Sequence, residues 1–381
     1  MRLRRALFVW CFGPLVAAAS QTVALTPEDG SAEIGRWYYS QKSSFFMNQN
    51  DGALAALRAV GEEHGFEVTD VGVFYPWMQD LLLFDSRGRF VPQAAYPDFA
   101  TGSAEEIFHG LTLGVYSEDG GLLRFPTTAA ALLAPLAPAM QSTLIEGGAL
   151  ISGRRASGAP YAILERDALV RARAYVLRES GLEASDATLH TLLAKDLGVR
   201  SEDLVLIDSD RHLDLFMLAM PGERILVHDH REVIRTLKSL LESGQVPSSE
   251  ISRVTSLLAA HERGMRGELY HQNEVYDTAA AQLRTAGFEV LRVAGDFSEL
   301  GASVGESHIN FMNSFHGTDP AGRHWMVSSP AAGLTSLETF WRQLITGLAR
   351  HDLTSTSVYF VGAYTPGSGM DCTGAVAARI R

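Results

Sequence analysis

A duplicated stretch limits the architectures open to this chain. Asp51-Gly-Ala-Leu-Ala-Ala-Leu-Arg58 recurs as Asp277-Thr-Ala-Ala-Ala-Gln-Leu-Arg284, and each copy is soon followed by Gly-Phe-Glu-Val, at 65–68 and at 287–290. Alanine and leucine favour helix, and an Asp at the head of each run is placed to cap it. The glycine then ends the helix, and the apolar segment beyond it predicts a strand. A looser theme surrounds this one. Leu204 to Ile207 predicts a strand, Ser209 to Asp214 a polar loop, and Leu215 to Met220 a second strand. A turn at Pro221-Gly222, a third strand at Ile225 to Val227 and a helix over about Arg231 to Leu241 complete the unit. Similar units fall near 71–95, 143–165, 290–330 and 358–380, about five in all. None can close a core alone, so a ring of strand–helix modules with polar loops converging at its centre is the economical α/β arrangement.

Composition bounds the partners. Of 381 residues 46% are hydrophobic and 20% charged, which suffices for a large core and argues against disorder. After the first twenty residues no Pro- or Ser-rich linker marks a domain boundary. The net charge is −12, without a basic run outside the N-terminus, so nucleic acid and anionic membranes are not expected partners. A cationic small molecule or peptide suits the sign. Residues 1–19 read as a signal peptide: Arg2, Arg4 and Arg5 precede an uncharged stretch from Ala6 that is short for a membrane span, and Ala17-Ala18-Ala19 suits cleavage. The product is then secreted or periplasmic, with no membrane association after cleavage. Cys11 leaves with the leader, Cys372 remains as the one thiol, and no intramolecular disulfide can form.

Five segments carry candidate chemistry. Cys372 lies in Pro366-Gly-Ser-Gly-Met-Asp-Cys-Thr-Gly374, where glycines allow close backbone approach and leave the sulfur accessible, a setting for a nucleophile more than for a core thiol. In Arg211-His212-Leu213-Asp214 a strand would put His212 and Asp214 on one face. That pair suits an acid/base group beside a substrate carboxylate, a structural pair, or metal ligation with His228 and His230. There is no HExxH and no cysteine ligand set, so no metal is expected. Pro76-Trp77-Met78-Gln79-Asp80 offers an aromatic face and a carboxylate, which suits a planar guanidinium or simply caps a loop. Glu146-Gly147-Gly148 opens a strand and reads equally as a hairpin turn. Alternation in Glu306-Ser307-His308-Ile309-Asn310 places His308 and Asn310 on one face, which suits ordinary strand hydrogen bonding as well as substrate contact.

Together these segments resemble the guanidine-modifying enzymes of the pentein fold, a five-bladed α/β propeller of pseudo-fivefold ββαβ-type repeats. Within that group the chain is most similar to the catalytic domain of protein-arginine deiminases, over residues 30 to 381. Trp77-Met78-Gln79-Asp80 matches those enzymes' Trp-Met-Gln-Asp. His212-Leu213-Asp214 with Phe216 resembles their His-Val-Asp-Glu-Phe, with Leu215 in place of the Glu. Glu146-Gly147-Gly148 and the glycine-rich approach to Cys372 resemble the wider superfamily, agmatine deiminases included. The resemblance implies a single catalytic domain at 30–381 that converts peptidyl-arginine to citrulline and ammonia. Asp80 and Asp214 would hold the guanidinium, Cys372 would attack its carbon, and His212 would move the protons. Trp77, Glu146 and Asn310 are further candidate substrate contacts. No cofactor is expected. Vertebrate-type relatives bind calcium through acidic residues after this tetrad, where Leu81-Leu82-Leu83 stand here, which predicts calcium independence or a differently built site.

Overall fold

The computed structural model describes residues 23–39, 51–70, 79, 82–88, 90–92, 114–116, 122–124, 143, 145, 147–209, 212–296, 309–331, 333–349, 355–362 and 374–379. Four three-stranded sheets within it repeat one plan: an antiparallel pair, then a helical crossover, then a strand parallel to the middle one. The first is made of β1 (Ile34–Tyr39), helix α1 (Asp51–His64) and β2 (Glu67–Asp70). β1 also runs antiparallel to the last strand of the chain, Gly374–Ala378, with Tyr39 opposite Gly374. Two hairpins follow in the chain, β3 (Leu82–Phe84) with β4 (Phe90–Pro92) and β5 (Gly114–Tyr116) with β6 (Leu122–Arg124).

The second sheet takes β7 (Leu150–Arg154), β8 (Pro160–Glu165), helices α2 (Ala168–Ser180) and α3 (Asp186–Leu197), and β9 (Leu204–Ile207). The third takes β10 (Met217–Met220), β11 (Arg224–His228), α4 (His230–Glu242), α5 (Ile251–Gly264), α6 (Glu268–Thr285) and β12 (Glu289–Val293). The fourth takes β13 (Phe315–Thr318), β14 (His324–Ser328), α7 (Thr335–Ala349) and β15 (Thr356–Phe360), and the strand at Gly374–Ala378 is β16. A parallel partner demands a long crossover, and the helices supply it.

The cores lie between sheets. Trp37, Val68 and Phe66 of the first unit pack with Phe315, Trp325 and Val327 of the fourth. Met326 and Trp341 of the fourth join Leu226, Val233 and Leu237 of the third. Met217, Val227 and Leu283 of the third join Ile151, Tyr161 and Ile163 of the second. Leu150 and Leu164 of the second join Leu25 and Leu83 of the β3–β4 hairpin region. Phe84 of that hairpin stacks on Tyr38 of β1, with ring centroids 4.8 Å apart. Each apolar face is thereby buried against the next unit, and fully burying one large apolar side chain stabilises by about 1.5–3 kcal/mol.

The repeated helix–glycine–strand passage holds: Gly65 and Gly287 adopt φ of 78° and 91° ahead of β2 and β12. α1 begins at Asp51. Asp277 does not cap a helix. α6 begins nine residues earlier at Glu268, and Asp277 sits mid-helix, pairing with Arg231 at 2.7 Å and, more closely, with Arg292. The cap reading failed because the preceding Leu269, Tyr276 and their neighbours already continue the buried helical face. Among the described residues no helix is long and apolar enough to cross a membrane.

Candidate functional site

Residues 212–215 join the second sheet to the third in the polar loop expected there, and the strand alternation that would put His212 and Asp214 on one face does not hold. His212 precedes a single 3-10 turn, Leu213–Leu215. The reason is Gly148, whose carbonyl accepts hydrogen bonds from Leu213 N at 2.8 Å and Asp214 N at 3.4 Å, so two successive amides turn toward one acceptor. Leu213 and Phe216 are fully buried and hold the turn in the core. His212 stays partly exposed while Asp214 is 1% exposed. A partly open imidazole beside a buried carboxylate is an arrangement fit for proton transfer to a bound cation.

Gly147 and Gly148 do more than turn the chain into β7. A Cβ on Gly148 would overlap the His212 ring at Nδ1, and a Cβ on Gly147 would overlap the Gln79 carbonyl. The pair is therefore clasped between Gln79, next to Asp80 in the chain, and His212. Glycine is required here for close approach rather than for an unusual φ.

Asp214 is aligned from the fourth unit. Asn313 Nδ2 donates to Asp214 Oδ2 at 2.9 Å, and Asn313 N in turn donates to Asn310 Oδ1 at 3.3 Å. Asn310 is thus brought to the site, through Asn313 and on irregular backbone ahead of β13 rather than on a strand face. Asn313 was not singled out from the sequence. Its signal was position: it stands just before the first strand of a unit, as Asp214 stands before β10.

Glu28 was also missed, because Thr26-Pro-Glu-Asp-Gly30 reads as an ordinary loop. Its carboxylate accepts from Gln79 Nε2 at 2.9 Å and from Ser152 N at 2.8 Å. Withdrawal from water pushes Glu28 up to about 7, against the pull of those bonds and helped by the charge of Asp214. Burial thus favours the protonated form of Glu28, whose charge Asp214 is near enough to disfavour.

Trp77, Asp80, Glu146, His308 and Cys372 lie outside the described residues. In sequence Asp80 falls two residues before β3, Glu146 four before β7, Asp214 three before β10, Asn313 two before β13 and Cys372 two before β16. The candidate residues occupy one equivalent place per unit. Metal ligation by His212, Asp214, His228 and His230 as a set is not assembled. Among the described residues the one group with metal-ligating spacing takes only His230 from it.

This is the α/β fold of the pentein enzymes, built from small repeated sheets. Two solved structures share it over nearly the whole chain. An agmatine deiminase of C. jejuni matches with a TM-score of 0.51 at 11% identity, over 94% of this chain and 96% of that one. An agmatine deiminase of Enterococcus faecalis matches with a TM-score of 0.51 at 10% identity, again over 94% and 96%. No family model and no curated protein matches.

Proposed function

We propose that this chain is a deiminase-type hydrolase of guanidinium groups, acting on arginine side chains of peptides as a five-bladed propeller whose fifth blade contains the β3–β4 and β5–β6 hairpins. The observation that carries the reading is the clasp of Gly147 and Gly148 between Gln79 and His212, with Asp214 aligned by Asn313. It supports a cluster in which Asp80 and Asp214 hold the guanidinium nitrogens and Trp77 lines the slot for the side-chain stem, with Glu146 and Asn310 beside it. The Cys372 thiolate adds to the central carbon, forming a C–S bond, and one nitrogen departs as ammonia with a proton from His212. Water, deprotonated by His212, adds to the thiouronium carbon. The C–S bond then breaks, leaving a ureido group and the restored thiolate. A guanidinium is a poor electrophile, so oriented carboxylates and a soft nucleophile are what the reaction needs.

Leu83 is packed in the core with Leu25 and Ile145, so that position offers no calcium ligand, and the proposal is an enzyme that is calcium-independent or has a differently built calcium site. The proposal includes export, resting on the signal-peptide pattern read at 1–19, and a catalytic domain at 30–381.

A second reading, hydrolysis of agmatine or free arginine, draws support from the fold shared with the two agmatine deiminases. One assay tests both: ammonia and ureido product from an arginine peptide, free arginine and agmatine, for the wild type and Cys372→Ala, with and without calcium. Product from the peptide with the wild type alone, unchanged by calcium, is the expected result. Product only from agmatine or arginine moves the substrate assignment. None from any substrate overturns the deiminase reading.

A further inference from the structure

We infer that His230, His261 and Asp296 form a binding site for one divalent transition-metal ion of the zinc class, separate from the His212–Asp214 cluster. His230 is the first residue of α4, His261 lies in the last turn of α5, and Asp296 follows β12. These residues are 0%, 2% and 3% exposed. One ligand atom from each lies within 4.8 Å of the others. His261 Nε2 is 3.0 Å from Asp296 Oδ2, and His230 Nδ1 is 3.8 Å from Asp296 Oδ1. These distances run to different oxygens of Asp296, and a small turn of the carboxylate would bring one oxygen toward the roughly 3.3–3.4 Å at which ligands of a tetrahedral ion at about 2.0–2.1 Å stand apart.

The tautomers argue for a cation. His261 Nδ1 faces the Leu257 carbonyl at 3.0 Å, which only accepts, so that nitrogen carries the hydrogen and Nε2 of the neutral ring is a lone pair. His230 Nε2 faces Gln272 Oε1 at 3.2 Å in the same manner, which leaves its Nδ1 as a lone pair that makes no hydrogen bond. With His261 neutral, two buried lone pairs and a carboxylate converge. Acceptors so placed repel one another unless a cation lies among them, and an outer partner on the far nitrogen of each histidine is the usual support of a metal ligand. A proton on His261 would pair it with Asp296 and still leave His230 Nδ1 aimed at the same carboxylate. Two imidazoles and one carboxylate suit zinc better than calcium or magnesium. The ion would tie α4 and α5 to the segment after β12, whose Asp296 N donates to Ile309 O, close to the loop that presents Asn313.

The test uses the full chain carrying Cys372→Ala, which removes a competing thiolate, freed of metal and titrated with zinc chloride and with cobalt chloride. Its readouts are metal content, the visible spectrum of the cobalt form and Tm, so it stands whether or not the deiminase assay succeeds. The expected result is one ion per chain, the intense visible bands of four-coordinate cobalt, and a Tm raised by a few degrees. In the same background His261→Gln and Asp296→Asn should weaken affinity by more than the roughly 10–100-fold that losing an outer-shell partner costs. No binding by the Cys372→Ala chain, six-coordinate cobalt, or unchanged affinity in both variants would overturn the site. If a variant does not fold, the stoichiometry and cobalt spectrum of the parent chain still decide.

Discussion

Gly148 shows how much one missing side chain can carry. Its carbonyl sets the turn at Leu213–Leu215, and its Cα leaves the space that the His212 ring fills. Adding a single methyl there displaces His212, whose ring atoms are the nearest to the added carbon. Misplacing a proton-transfer group by about 1 Å can cost roughly 100-fold in rate. Gly148→Ala should therefore lower kcat on the guanidine substrate by about 100-fold while far-UV circular dichroism stays native, with kcat/KM falling in parallel. A variant with wild-type kcat would show that His212 is not positioned by this contact. The same clasp explains which site residues could be read in advance. His212, Asp214 and the glycine pair belong to local motifs, so they were legible. Glu28 and Asn313 were not, because they reach the site through partners 51 and 99 residues away in the chain, Gln79 and Asp214.

Helix and strand periodicity was legible for a local reason. The passage from α6 through Gly287 into β12 depends on one backbone angle and on apolar faces set by neighbouring residues, both written in consecutive sequence. What failed was the boundary: Asp277 reads as a cap locally, but an arginine pair from α4 and β12 claims its carboxylate instead. Gly287 gives a clean measure of the backbone term, because a Cβ there would meet nothing within 4 Å while φ is 91°. Gly287→Ala should destabilise by about 1–2 kcal/mol from the left-handed conformation alone, and Gly287→Asn by less, since asparagine tolerates that region. Urea unfolding of the three proteins would check it. Equal losses for Ala and Asn would mean that the site responds to bulk rather than to φ.

At the scale of the whole molecule the packing places titratable groups of opposite tendency in neighbouring units. Glu28 is pushed up to about 7 by burial, and His316, 2.9 Å from His324 through Nδ1, is pushed down to about 4 by the same cause. Between pH 4.5 and 7 the folded chain holds more protons on Glu28 than the unfolded chain does, so this residue makes stability fall as pH rises. Between about 4 and 6.5 the unfolded chain holds more protons on His316, so that residue makes stability rise with pH, and His324, also lowered by burial, adds to the rise. The two tendencies oppose each other through mildly acid pH. Glu28→Gln removes one of them. The stability of Glu28→Gln minus that of the wild type should grow by about 1–3 kcal/mol from pH 4.5 to 7.5, a range that allows for the partial exposure of Glu28. Outside that window the difference should be flat. Urea melts at half-unit pH steps would measure the curve. A pH-independent difference would mean that Glu28 ionises in the folded protein as it does in the unfolded chain, and the contacts with Gln79 and Ser152 would then offset its loss of water.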